Sequence, residues 1–278
     1  MLRAEFQKLW RSKNFWIALT VSLLIGFLPF LFMNSHQSGQ VIYTPENSCL
    51  LYGSGLGALL LFFFTPLLAS FPYASSYHEE KRNHSEALLL TRKSRQAFFL
   101  SKLTVILVSA FIISVVPFLF NYLLCLVAFP RPNVPPVDAL PFVFKDVYTR
   151  DFFSEIGQVL FPRLFLNYPI LDVLLHLFLV GVWGMGCAAL TFSFSLVYHR
   201  HLLVTAFLPS ILVLISIVLL DSLFGSRWIV PMQLMLAPHS GINASTPFVV
   251  CLLLLVPFLI GALFLSYRLY TPRGRDEL

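Results

Sequence analysis

Six stretches of this chain are too long and too apolar for a water-soluble fold to hold. They run over residues 15–33, 50–74, 103–129, 170–197, 202–224 and 248–267. Each falls within or above the range of about 17–25 residues that an α-helix needs to cross a hydrocarbon core of ~30 Å. Backbone inside lipid must satisfy its own N–H and C=O groups, and a helix does so within one segment. The sequence therefore predicts an all-α polytopic membrane protein with six transmembrane helices. Composition agrees: 58% of residues are hydrophobic and 12% charged, against roughly 45–50% and about 25% in soluble domains. The third and fourth stretches are long enough to tilt or to project beyond the bilayer.

Orientation follows from the cations. With the N-terminus inside, the inside segments hold Arg3, Lys8, Arg11, Lys13, six Lys/Arg in 75–102, Arg200, Arg268, Arg273 and Arg275, which makes 14. The outside segments hold Arg131, Lys145, Arg150, Arg163 and Arg227, which makes 5. Cytoplasmic loops carry the excess of Lys and Arg, so both termini are expected to be cytoplasmic. The net charge of +6 thus reflects topology rather than a nucleic-acid surface. The first stretch is expected to stay in the protein. It is longer than the apolar region of a signal peptide, and no small-x-small cleavage site follows it.

Residues 1–14 read as an amphipathic interfacial helix. Leu2, Phe6, Leu9 and Trp10 recur at helical spacing, while Arg3, Lys8 and Arg11 fall elsewhere. Such a helix is expected to lie in the cytoplasmic interface, its cations near anionic headgroups. Residues 130–169 form the longest predicted outside segment, with a proline-rich first part and a short amphipathic helix over 152–161. Residues 268–278 are a cytoplasmic tail.

Catalytic chemistry is absent from the pattern. No Gly-Lys dipeptide occurs, so there is no phosphate-cradling Walker A loop. There is no G-x-S-x-G elbow. His78 and His84 are six residues apart, whereas helical zinc ligands need a spacing of four. Cys125, Cys187 and Cys251 lie inside spans and Cys49 at the outer start of one, with no C-x-x-C. Catalytic, cofactor-binding and metal residues are all expected to be none. Polar residues within the spans are the remaining candidates. Asn121 sits in the outer half of the third span. Asp172 and His176 are one helical turn apart at the outer end of the fourth, and Asp221 lies at the outer end of the fifth. They are candidate polar path residues, expected to be solvated at the outer interface.

The only long charged run is 75–102, between the second and third spans. It holds six Lys/Arg and three Glu, so it belongs in water or at the interface. Ala87, Leu88, Leu89 and Leu90 are apolar in its middle, which favours packing on a protein or membrane surface.

This run resembles the cytoplasmic loop in the membrane subunits of type-2 ABC transporters. Those permeases, mostly exporters, have six spans, both ends inside and a loop ending in a pattern like E-x-L-L-x-x-P-x-S-R-x-x-x-x-x-x-K. Glu86, Leu88, Leu89, Ser94, Arg95 and Lys102 fall on it, preceded by Glu80 and Ser85. The sequence departs at two places: His84 stands where the family tends to have Gly, and Arg92 where it has Pro. The resemblance implies a coupling loop over 75–102 that docks on a separate ATP-binding cassette subunit. Glu79, Glu80, Glu86, Leu88, Leu89 and Arg95 are then its partner-coupling residues. It further implies a second permease chain, and ATP and Mg on the partner subunit rather than on this chain. It places the chain in the cell membrane, as a multi-pass protein of a bacterial plasma membrane. The function read from these features is the permease subunit of an ATP-driven ABC exporter. Its phenylalanine-rich spans favour a hydrophobic or amphiphilic cargo: a peptide, an antibiotic or a lipid-like molecule. The alternatives are a non-transporting membrane scaffold or sensor subunit and, less favoured, a membrane-embedded enzyme.

Overall fold

A computed structural model of the chain describes residues 2–35, 64–72, 95–128 and 168–197, with positions 204, 207, 211, 215, 259, 262, 263 and 265–267. Every regular element among the described residues is a helix. The principal ones are α1 (Leu2–Arg11), α2 (Lys13–Ser35), α3 (Arg95–Ala128) and α4 (Pro169–Val197). Leu100–Ala128 and Ile170–Ser195 are both long and apolar enough to cross a membrane.

Ser12 separates α1 from α2, and its N–H closes the end of α1 on the Leu9 carbonyl at 3.0 Å. Lys8 and Arg11 sit in the last turn of α1, where a cation complements the helix dipole. The corner is held from outside as well. The Trp16 indole N–H donates to the Trp10 carbonyl at 2.8 Å. The Trp10 ring lies 5.4 Å from Phe15 and 5.8 Å from Trp16.

The face that α1 buries differs from the one its apolar residues suggest. Leu9 is buried and Phe6 half-buried, but Leu2 and Trp10 are exposed and Glu5 is buried in their place. Glu5 and Leu9 are four residues apart and therefore share a line along the helix. α1 thus turns a mixed face toward the protein and leaves Leu2 and Trp10 outside.

α3 is 34 residues long, or about 51 Å at 1.5 Å per residue. It opens at Arg95, eight residues before the apolar stretch that begins at 103. Its first turns, drawn from the charged run, are already packed: Phe98, Ser101 and Lys102 are buried. Lys102 is wholly buried, with its Nζ 5.2 Å from the centre of the Phe98 ring.

One apolar cluster joins Leu9, Phe15, Ala69, Phe98, Ile106 and Phe192, with Leu263 packed against it. It gathers the starts of α2 and α3 with the ends of α4 and of the described parts of 64–72 and 259–267. Those helix ends therefore share one side of the molecule. Farther along, close approach is set by glycines. A Cβ on Gly26 of α2 would stand 2.8 Å from the carbonyl oxygen of Pro117 in α3. A Cβ on Gly181 of α4 would collide with the Phe111 ring, and one on Gly184 with the Ser114 hydroxyl. In lipid no hydrophobic force drives helices together, so small residues that admit close van der Waals contact decide where they meet.

Candidate functional site

The sequence suggests two groups of candidate residues, one in the charged loop and one in the spans. Of the loop group, Arg95 opens α3. Glu79, Glu80, Glu86, Leu88 and Leu89 lie outside the described residues, as does Asp221 of the span group.

The remaining span residues are brought to two different places. Asn121 is buried on α3 and donates from Nδ2 to the Gly26 carbonyl at 3.0 Å. Helical carbonyls are already bonded once, but each oxygen has a second lone pair, so an amide can tie two helices without breaking either. Gly26 admits the approach because it has no side chain. Cys125 follows one turn on, its Sγ 3.9 Å from Asn121 Oδ1.

Asp172 and His176 are brought to each other. Asp172 lies in the first turn of α4, where the helix dipole favours a carboxylate. His176 Nδ1 is 2.9 Å from the Asp172 backbone carbonyl and 3.5 Å from its Oδ2. A carbonyl only accepts, so Nδ1 carries the proton in this geometry. The expected solvation of the pair is not observed, because both side chains are fully buried. Helical phase explains the difference. Ile170, Leu171, Leu174 and Phe178 form the exposed side of α4, which turns Asp172, Val173, His176 and Leu177 inward.

Several residues at the other end of α4 escaped the sequence reading. Thr191 donates to Ser70 Oγ at 3.0 Å, and Ser70 donates to the Pro66 carbonyl at 2.6 Å. Ser193 is hydrogen-bonded to Ser266, and Ser266 also reaches the Ala189 carbonyl at 3.2 Å. These hydroxyls fasten α4 to the 64–72 and 259–267 segments. Their only sequence signal is a run of Ser and Thr within an apolar stretch. Lys102, which the charge pattern of 75–102 places in water or at the interface, is likewise buried, and so is Glu5 of α1.

Among the described residues no group of three metal-ligating side chains occurs. The described arrangement is suited to packing and to tying helices together.

A family model, described as ABC-2 family transporter protein, matches residues 1–146, more than half of the chain. The chain belongs to the ABC-2 transporter family. The matched part contains α1, α2, the charged run and α3. It therefore includes the buried Glu5–Leu9 face, the base of α3 and the Asn121–Gly26 tie. This ABC-2 chain is a membrane permease of an ABC transporter, a transport component rather than a catalytic one. Permeases of the family typically work with an ATP-binding subunit. No curated protein and no solved structure matches the chain.

Proposed function

We propose that this permease forms the translocation path of an ATP-driven exporter, pairing with a second permease chain and two copies of a separate ATP-binding subunit. One observation carries the reading. α3 rises from the end of the charged run as one helix, and its base is packed with α1 and with the end of α4. A force applied to 75–102 then acts on the membrane helices directly, as in rigid-body switching.

Nucleotide chemistry belongs to the partner in this reading. The chain has no Gly-Lys dipeptide to cradle phosphates, so ATP and Mg are assigned to the other subunit. Glu79, Glu80 and Glu86 supply the polar rim of the coupling surface, Leu88 and Leu89 its apolar centre, and Arg95 the junction with α3. Rim charges fix register more than they add affinity. Asn121, Asp172, His176 and Asp221 are the polar groups along the path. The scarcity of charge in the spans supports a hydrophobic or amphiphilic cargo. Six spans with both ends inside, in a bacterial plasma membrane, complete the reading. The common side shared by the helix ends in the apolar cluster supports that topology.

The experiment is co-purification with the ATP-binding subunit, followed by ATPase stimulation by candidate cargos. E80K/E86K should insert in the membrane but lose assembly or uncouple hydrolysis from transport. Normal assembly and transport by the charge-reversed protein would remove 75–102 as the coupling element.

A further inference from the structure

The outer surface of the α1–α2 corner has a composition that packing does not explain. Its exposed side chains include Arg3, Arg11, Lys13, Trp10 and Trp16. The one carboxylate of the segment, Glu5, is only 6% exposed because it is turned toward the protein. The outward surface therefore carries cations without a compensating acid of its own. Arg3 and Trp10 are seven residues apart and so nearly eclipsed along α1, with Arg11 beside them. Lys13 begins α2 on the far side of the Ser12 turn.

The aromatic groups add a depth requirement. Trp10 is 51% exposed and Trp16 47%, and their rings contact each other at the corner. The Trp16 N–H is satisfied by the Trp10 carbonyl, so this indole can enter an apolar layer without a stranded donor. Tryptophan favours the level where headgroups meet acyl chains. Cations fixed at that level, next to helices apolar enough to cross the membrane, face phosphate rather than protein.

We propose that the α1–α2 corner selects anionic phospholipid headgroups from the surrounding bilayer. The proposal rests on the membrane-permease reading and adds a preferred lipid to it. The recognising chemistry is a phosphodiester bearing net negative charge, met by Arg3, Arg11 and Lys13 over an indole floor. A zwitterionic lipid offers the same phosphate but carries its own cation, which cancels the long-range attraction. Because α1 packs by its Glu5–Leu9 face near the base of α3, lipid held here sits against the helix that follows the charged run.

The test uses the full-length chain in lipid nanodiscs. The W183F/W228F variant keeps only Trp10 and Trp16 of the four tryptophans. Its fluorescence is read with brominated phosphatidylglycerol or brominated phosphatidylcholine at equal mole fraction in a phosphatidylcholine background. Anionic lipid should be enriched at the corner by about fivefold, the factor one well-placed cation supplies, and should quench correspondingly more. R3Q/R11Q/K13Q should bring the two lipids to equal quenching. Equal quenching in the unaltered corner, or a preference that survives the triple replacement, overturns the proposal. Should W183F/W228F fail to fold, the difference between the native chain and W10F/W16F gives the same reading. Alkaline extraction separates the two levels of inference. A chain released from vesicles by carbonate sinks the membrane-spanning reading, whereas a retained chain without lipid preference sinks only this one.

Discussion

The side-chain amide of Asn121 on α3 donates to the backbone carbonyl of Gly26 on α2 at 3.0 Å, at a position where a Cβ on Gly26 would press on the Pro117 carbonyl oxygen. The two features are separable by substitution. Interhelical hydrogen bonds in membranes average about 0.6 kcal/mol and reach at most about 1.7. Overpacking a close contact costs about 1–3 kcal/mol. Gly26→Val should therefore lower the thermal unfolding midpoint in detergent more than Asn121→Ala does. The reverse order would mean that the hydrogen bond, not the close approach, holds α2 on α3.

Gly184 and Ser114 occupy one space between α3 and α4. A methyl group on Gly184 collides with the Ser114 side chain. G184A should destabilise by about 1–3 kcal/mol, and S114G should recover part of that loss when combined with it. Purely additive effects in a four-variant thermal series would show that the two residues do not share the seam.

The Asp172–His176 pair should behave as a unit. Removing the imidazole takes away the group 3.5 Å from the buried Asp172 Oδ2, and breaking a buried pair costs about 3–5 kcal/mol. H176L should therefore be markedly less stable than D172L/H176L. A double variant no better than H176L would indicate that the two side chains are not energetically coupled, whatever their separation.

Lys102 gives a prediction of sign. Its ammonium lies over the Phe98 ring, whose face attracts cations and repels anions. K102M keeps an unbranched apolar stem and should fold with modest loss. K102E should cost more and lower the yield of monodisperse protein. Equal behaviour of the two variants in size-exclusion profiles would mean that the charge at this position is immaterial.

Among the described residues, α2 and α4 were legible as helices from the length of their apolar stretches. α2 and α4 begin and end within two residues of the stretches 15–33 and 170–197. What the pattern hid is which side of each helix faces protein. Apolar residues suit lipid and protein interior equally, so Leu2 and Trp10 could be exposed while Glu5 was turned inward. Charge misled in the same way at Lys102. A cation at a span's edge reads as solvated, yet the start of α3 packs it inside. Asp172 and His176 were identified as a pair by their spacing, but their burial depends on the rotation of α4, which its own sequence does not specify. The Ser70–Thr191 and Ser193–Ser266 contacts link residues more than seventy positions apart. No single span announces its partner. The loop residues Glu79, Glu80, Glu86, Leu88 and Leu89 fall outside the described residues, so only sequence speaks for them.

Pro117 divides α3 unequally. Twenty-two residues separate it from Arg95 and eleven from Ala128, or about 33 Å and 16 Å of helix. Proline removes one backbone hydrogen bond, which makes it the place where a helix bends most readily. A bend there divides α3 into two arms with lengths in the ratio of about two to one. For the same bend angle the Arg95 end swings through about twice the arc of the Ala128 end, so the end of α3 beside the charged run has the wider reach.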